Sequence, residues 1–201
     1  MREEMDILKE VGNTAAAHGS TALSEMLGRK IELNVPSVTM ASPEEIIKKA
    51  NIQGITMAFQ TKILEGLAGE SLYILLEEKS AYKLVDICYK LDEGLKKGSL
   101  YTEMSMSLMR EIANVVTAAY MGALGYFLKK LLIPSLPLLI NAPFDEIVKM
   151  VVPSHEKNQV LLIESTFKEP KEKLQGTFWL ILTHGAVNEI QKACKEMLNN
   201  I

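Results

Sequence analysis

Leu8-Lys9-Glu10-Val11-Gly12-Asn13 and Met109-Arg110-Glu111-Ile112-Ala113-Asn114 are two versions of one hexapeptide. Glu111 follows Glu10, Asn114 follows Asn13 and Pro137 follows Pro36 by the same interval of 101 residues. An interval held over three points marks an internal duplication, which changes the meaning of every motif read afterwards. Further on, Gly69-Glu-Ser-Leu-Tyr-Ile-Leu-Leu76 has its counterpart in Gly176-Thr-Phe-Trp-Leu-Ile-Leu182, and each runs into an amphipathic segment, one carrying Cys88 and the other Cys194. That last pair is 106 residues apart, so a few residues were inserted in the second copy.

Working outward from the hexapeptides, apolar residues at intervals of three and four predict long helices over 4–28 and 103–130. Branched and aromatic runs predict strands near 31–40, 53–61, 67–77, 136–141, 158–168 and 173–183. Ser42-Pro43-Glu44-Glu45 has the form of a helix start, with a capping serine and a proline in the first turn, and Pro143-Phe-Asp-Glu146 begins a second short helix. Asp92 to Ser99 has the turn and charge composition of a connector. The expected fold is therefore α+β: a duplicated unit with a pseudo-two-fold axis, in which helices cover a largely antiparallel six-stranded sheet and two long helices bear the repeated motif. Residues 1–201 form one domain of two homologous halves, about 1–98 and 99–201.

Composition narrows the function classes. In 201 residues, 48% of them hydrophobic, there is material for a sizeable core, and the net charge of −3, with acids and bases mixed, gives no footprint for nucleic acid or an anionic membrane. No apolar run reaches the ~18 residues of a spanning helix, and Met1 to Lys9 is acidic and amphipathic, unlike a signal peptide, so a cytoplasmic location is expected. Two distant cysteines suit a reducing compartment and read as buried thiols. Most of the 11 methionines fall beside Leu and Ile at helical spacing and read as core filling. His18, His155 and His184 share no metal-ligand spacing, and no Walker loop, nucleophile elbow or dinucleotide fingerprint occurs, so neither a metal nor a cofactor of this chain's own is expected. The lysine pairs Lys48-Lys49, Lys96-Lys97 and Lys129-Lys130 fit solvated element ends.

On a helix, Glu10 and Asn13 stand side by side, as do Glu111 and Asn114. The first polar stripe reads Asp6, Glu10, Asn13, Ala17, Ser20 and Ser24, opposed by apolar Leu8, Val11, Ala15, Ala22 and Met26; the second reads Ser107, Glu111, Asn114 and Ala118. A single Glu-x-x-Asn pair is ordinary on a solvated face. Two in register are not, because asparagine is a mediocre helix former whose repetition in mid-helix calls for a compensating use. Its amide both donates and accepts hydrogen bonds and can fix one water, which suits in-line attack on a phosphoryl group; the neighbouring Glu offers a fixed charge for a lysine on a phosphorylated partner.

These residues resemble the pattern of the CheC family of chemotaxis phosphatases, which includes CheX and the phosphatase part of FliY: Asp or Ser, three residues, Glu, two residues, Asn, then a proline after 22 more. Asp6, Glu10, Asn13 and Pro36 satisfy it, and so do Ser107, Glu111, Asn114 and Pro137. Two sites in about 200 residues are similar to CheC, whereas CheX has one and FliY an added switch domain. The resemblance implies hydrolysis of the aspartyl phosphate of the response regulator CheY, with Glu10 and Glu111 meeting its lysine, Asn13 and Asn114 orienting water, and Mg2+ supplied by the regulator. It also implies the receptor deamidase CheD as a second partner, with Asn141-Ala-Pro-Phe-Asp145 as the place to seek the contact. Where the family has a glycine-rich run after the first Asn, this chain has Thr14-Ala-Ala-Ala-His18, and a lone His there reads as a surface or structural residue. Two rival classes use the same surface: a non-catalytic adaptor for phosphorylated CheY or CheD, and a flagellar switch component without phosphatase activity.

Overall fold

The computed structural model describes residues 2–34, 36–50, 52, 54–67, 69–89, 102–152, 160–171 and 173–198, without the side chains of residues 2–4, 184, 194, 195, 197 and 198. The first run of elements is α1 (Arg2–Leu27), β1 (Glu32–Leu33), β2 (Ser37–Ala41), α2 (Pro43–Ala50), β3 (Ile55–Glu65), β4 (Ser71–Glu77) and α3 (Glu78–Cys88). The second repeats it as α4 (Glu103–Leu128), β5 (Ile133–Pro134), β6 (Leu138–Pro143), α5 (Phe144–Val151), β7 (Val160–Glu169), β8 (Leu174–Leu182) and α6 (His184–Leu198). The connector Asp92 to Ser99, and with it the expected boundary between halves, lies outside the described residues.

All ladders are antiparallel, and the order across the sheet is β1-β7-β8-β4-β3-β5, with β2 also on β7 and β6 also on β3. The outer strands are thus exchanged: β2 of the first run lies on β7 of the second, and β6 of the second lies on β3 of the first. Strands β4 and β8 meet in the middle, where Tyr73 faces its own counterpart Trp179. Side chains directly opposed in an antiparallel pair point to the same face. A two-fold relation centred on this pair therefore has its axis along the sheet normal, and dyad-related helices lying over one face run in opposite directions.

Alternation along β4 and β8 sorts the core into two layers. Leu72, Ile74 and Leu76, with Phe178, Leu180 and Leu182, pack beneath α1, α3, α4 and α6; Tyr73, Leu75, Trp179 and Ile181 pack against α2 and α5. Both central strands are covered on both faces, which is why they read as unbroken apolar runs. The dyad also shows in polar contacts across the hairpins. Gln60 Nε2 donates to the Tyr73 hydroxyl at 2.8 Å, and at the equivalent place Trp179 Nε1 donates to the Glu164 carboxylate at 2.9 Å.

Local signals behave as their chemistry dictates. Ser42 and Glu45 close a reciprocal capping box at the start of α2, with Glu45 N–H donating to Ser42 Oγ at 3.3 Å and Ser42 N–H donating to the Glu45 carboxylate at 2.8 Å. The Glu70 carboxylate, buried, accepts from Thr183 N–H at 2.8 Å and Thr183 Oγ1 at 2.6 Å, tying the start of α6 to the β3–β4 turn.

Several expectations are corrected. The strand expected over 31–40 is two short ones, β1 and β2, and that over 136–141 becomes β5 and β6, because Pro36 and Pro137 have no N–H for the ladder. Ser20 is buried and not on the polar stripe, whose exposed continuation is Ala17, Thr21 and Glu25. Met26, placed on the apolar stripe, is exposed, and so are Met40, Met104 and Met150; among the described residues Met57, Met109 and Met121 are buried, and half-buried Met5 and Met106 pack against the core as expected. Cys88 is only half-buried, enough for desolvation to raise its thiol above the usual range. The side chain of Cys194 lies outside the described residues.

Gly12 sets the height of α1 above the sheet. A Cβ on it would stand 2.4 Å from Ile163 Cγ2 of β7. Gly12→Ala is expected to lower stability by about 1–2 kcal/mol, the overpacking outweighing the ~1 kcal/mol that alanine gains in helix propensity. Urea denaturation measures it, and an unchanged midpoint would show that α1 is free to lift.

Candidate functional site

Helices α1 and α4 make the most extensive helix–helix contact of the fold. They cross near Gly19, where an added Cβ would stand 3.5 Å from the Val116 carbonyl oxygen and 3.6 Å from Cβ of Tyr120, its own counterpart. The buried ridge of α1 includes Leu8, Val11, Ala15, Ala16, Leu23 and Leu27; that of α4 includes Met109, Ile112, Ala113, Val116, Tyr120 and Leu124. With these positions facing inward, the 3.6-residue period turns the other side of each helix to solvent.

Glu10 and Glu111 are exposed, and Asn13 and Asn114 are half-exposed beside them, one turn on. Among the described residues no side-chain hydrogen bond or ion pair engages any of the four. Neither amide is turned into the core. Each asparagine is followed on the outer ridge by a small residue, Ala17 in α1 and Ala118 in α4, both exposed. Asp6 and Ser107 precede the pairs and are exposed as well. Each Asn lies some four to six residues before the crossing, and the helices run oppositely. The two pairs therefore sit on either side of the dyad, separated along the helices by on the order of 15 Å at the usual rise per residue.

Sequence reasoning passed over one neighbour in each copy. Lys9 and Arg110 stand four residues before Asn13 and Asn114, on the same ridge, and both are exposed. Every asparagine thus has an acid at i−3 and a cation at i−4. The repeat register itself was the signal, since the two cations are as far apart as the two glutamates. His18 is exposed, next to the first pair, and His155 lies outside the described residues. Among the described residues no cluster of three His, Cys, Asp or Glu side chains is positioned to hold a metal ion.

The site is a ridge and not a cleft. A groove of about 250 Å³ lies on the other face of the sheet, lined by residues that include Met40, Glu45, Ile46, Lys49 and Glu164, and serves neither pair. In the segment expected to meet CheD, Phe144 is buried edge-on against Trp179, 5.5 Å between ring centres, so it is not available to a partner. Asp145 pairs with Lys149 at 2.9 Å, and the hydrogen bond from that lysine holds its carboxyl below the usual range. Asn141 is exposed.

The model of the CheC-like family matches residues 3–40, the helix, the Glu10–Asn13 pair and Pro36 of the first copy. A 136-residue stretch is 29% identical to the CheY-P phosphatase CheC of Bacillus subtilis, covering 67% of this chain and 65% of that one. Residues 3–40, with the first motif, are therefore CheC-like in sequence. Another CheC-like protein, the flagellar motor switch phosphatase FliY of Bacillus subtilis, is 30% identical over 111 residues, which is 55% of this chain and 28% of that protein. The chain thus matches less than two thirds of the length of either curated relative. The crystal structure of Thermotoga maritima FliY superposes with a TM-score of 0.77 at 21% identity over 98% of each chain, so the two share a fold over both halves. Among the described residues no helix is long and apolar enough to cross a membrane.

Since neither amide is bonded within the described fold, Asn13→Ala and Asn114→Ala are each expected to raise stability by about 0.5 kcal/mol, the difference in helix propensity. A loss of more than ~1 kcal/mol in denaturant titration would assign the asparagines a structural role.

Proposed function

We propose that this chain is a chemotaxis phosphatase that hydrolyses the aspartyl phosphate of the response regulator CheY, at two sites centred on Asn13 and Asn114. The observation that carries the reading is that two in-register Glu-x-x-Asn pairs stand on exposed ridges with no internal partner among the described residues.

A convex ridge without a pocket suits a substrate that brings its own. The acyl phosphate and its Mg2+ belong to the regulator, and this chain inserts a helix beside them. The asparagine amide accepts from one water and donates to its surroundings, holding a lone pair of that water in line with the phosphorus. The P–O bond to water forms as the bond to the aspartyl carboxylate oxygen breaks, which releases inorganic phosphate and restores the carboxylate; the water's proton leaves with the phosphate. Little else is needed from the protein, since catalysis in a loose phosphoryl-transfer transition state is mostly positioning and charge. Glu10 and Glu111 pair with a lysine of the regulator and so set the amide's register. Lys9 and Arg110, on the other side of each Asn, add positive charge toward the phosphoryl oxygens. The small residues beyond the asparagines let the regulator's backbone come close.

With CheY charged by acetyl phosphate, Asn13→Ala and Asn114→Ala should each leave the other site working, and the double variant should lose about 100-fold in catalysed dephosphorylation, a typical cost of losing a positioned group. Equal phosphate release by wild type and double variant would reject the enzyme. Charge reversal, Glu10→Lys with Glu111→Lys, should raise KM a few-fold and more at low salt, the scale of exposed ion pairs; a fall in kcat with KM unchanged would move the glutamates from docking to chemistry.

A further inference from the structure

The two halves act as internal controls for each other, because equivalent positions share one backbone environment. The pairing Leu33↔Phe167 at one end of the sheet corresponds to Pro134↔Ile63 at the other, and Ser37↔Glu164 corresponds to Leu138↔Gln60. In this register Lys30, Glu32 and Ser37 are the counterparts of Leu131, Ile133 and Leu138; Lys168, opposite Glu32, corresponds to Glu65, opposite Ile133, and Leu64 is the extra residue of the bulge. One end of the sheet is charged: Glu32 faces Lys168 across the ladder, and Lys30 approaches Glu32 at 3.8 Å. At the other end half-buried Ile133 takes the place of Glu32, opposite Glu65, and leucines take the places of Lys30 and Ser37.

The leucines at this end are not covered. Leu64, Leu131, Leu136 and Leu138 are 56%, 75%, 82% and 59% exposed. They lie together at one end of β3. Leu138 follows directly on the loop in which Ser135 N–H donates to the Lys62 carbonyl, Leu64 is the residue skipped by the bulge between Ile63 and Glu65, and the Leu131 carbonyl closes over Gly66. The four exposed leucines, two of them (Leu131 and Leu138) at positions that are polar in the other half, present on the order of 500 Å² of apolar surface, near the top of what a monomer leaves bare.

We propose that this leucine end is a self-association surface through which two copies of the chain pair about a two-fold axis. Two observations select a second copy. With the flanking Lys62 and Glu65, both exposed, the patch approaches the ~800 Å² per partner of a stable interface. The rim is also self-complementary: Lys62 and Glu65 stand on either side of Leu64, so an isologous contact opposes the lysine of one copy to the glutamate of the other. A partner of strong single charge would find no matching rim here.

Light scattering and sedimentation of the full chain at about 100 µM test this, with a dimer expected at twice the 22.4 kDa of one chain. In the combined variant Leu64→Lys, Leu131→Lys, Leu138→Ser, the last two import residues the molecule already carries at the equivalent places and the first changes an exposed bulge residue, so the fold should survive, with an unchanged circular dichroism spectrum. Its self-association should weaken tenfold or more. Lys62→Glu alone should weaken it, and Lys62→Glu with Glu65→Lys should restore it. A wild type that stays monomeric at this concentration would overturn the proposal, as would a leucine variant that dimerises as well as wild type; in either case the patch serves a different protein.

Discussion

The antiparallel contact of β4 with β8 at Tyr73 and Trp179 governs the rest of the molecule. Neither half could be stable alone, since each would leave the apolar edge of its central hairpin open to water. Joining them edge to edge with the dyad along the sheet normal closes that edge and makes the core continuous on both faces. The same operation decides the position of the motif. Helices α1 and α4 must lie over one face, cross near Gly19 and Tyr120, and turn their outer ridges to solvent at opposite ends. Two equivalent surfaces for a partner follow from one strand pairing.

Identical placement does not mean identical support. α1 approaches β7 so closely that position 12 must be glycine, whereas its counterpart Ala113 is buried with room for a methyl group. The first pair therefore rests on a helix with a weak propensity point beside its asparagine, and the second on a helix that is more favourable locally. After the asparagines the copies diverge again: α1 continues through Ala17 and Thr21 to Glu25, and α4 through Ala118 and Gly122 to Tyr126, which is 85% exposed. A partner docking along each ridge meets a charge at the end of one and an aromatic ring at the end of the other.

What could be read from the sequence was whatever depends on short-range periodicity. The two 26-residue helices, the α2 cap and the apolar runs of β4 and β8 all follow from spacing, capping chemistry and double-sided burial. The duplication located the motif in both helices because register survives insertion elsewhere. The exchange of β2 onto β7 and β6 onto β3 was not legible, since strand partners far apart in the chain leave no local mark. Ser20 and Met26 were misplaced for a related reason. A helix packed on both a sheet and a second helix buries a wider and skewed arc than an amphipathic pattern suggests, so Ser20 falls inside the buried arc while Met26, nearer the free end, falls outside it. Lys9 and Arg110 were legible and overlooked, because charged residues on a polar face attract no notice until the ridge is seen in three dimensions.

Duplication lets one copy of a feature drift while the other maintains the fold. In the Gln60–Tyr73 and Glu164–Trp179 pairs, donor and acceptor have traded places across the dyad, yet each buried aromatic still has its polar tip satisfied. That exchange preserves packing on both sides and is neutral. The substitution of Lys30 and Ser37 by Leu131 and Leu138 is of another kind, since both leucines are exposed and add no core: the charged end shows that the fold tolerates polar groups there. Exposed apolar area without a packing role costs solubility and favours aggregation, so its retention at one end only points to a use outside the folded chain. The repeated acid–amide pairs show the opposite behaviour, holding an unfavourable mid-helix asparagine in both copies where packing requires it in neither. Both departures from what folding alone would select lie on the molecular surface, one kept symmetric and one made asymmetric, and each is most simply explained by a partner.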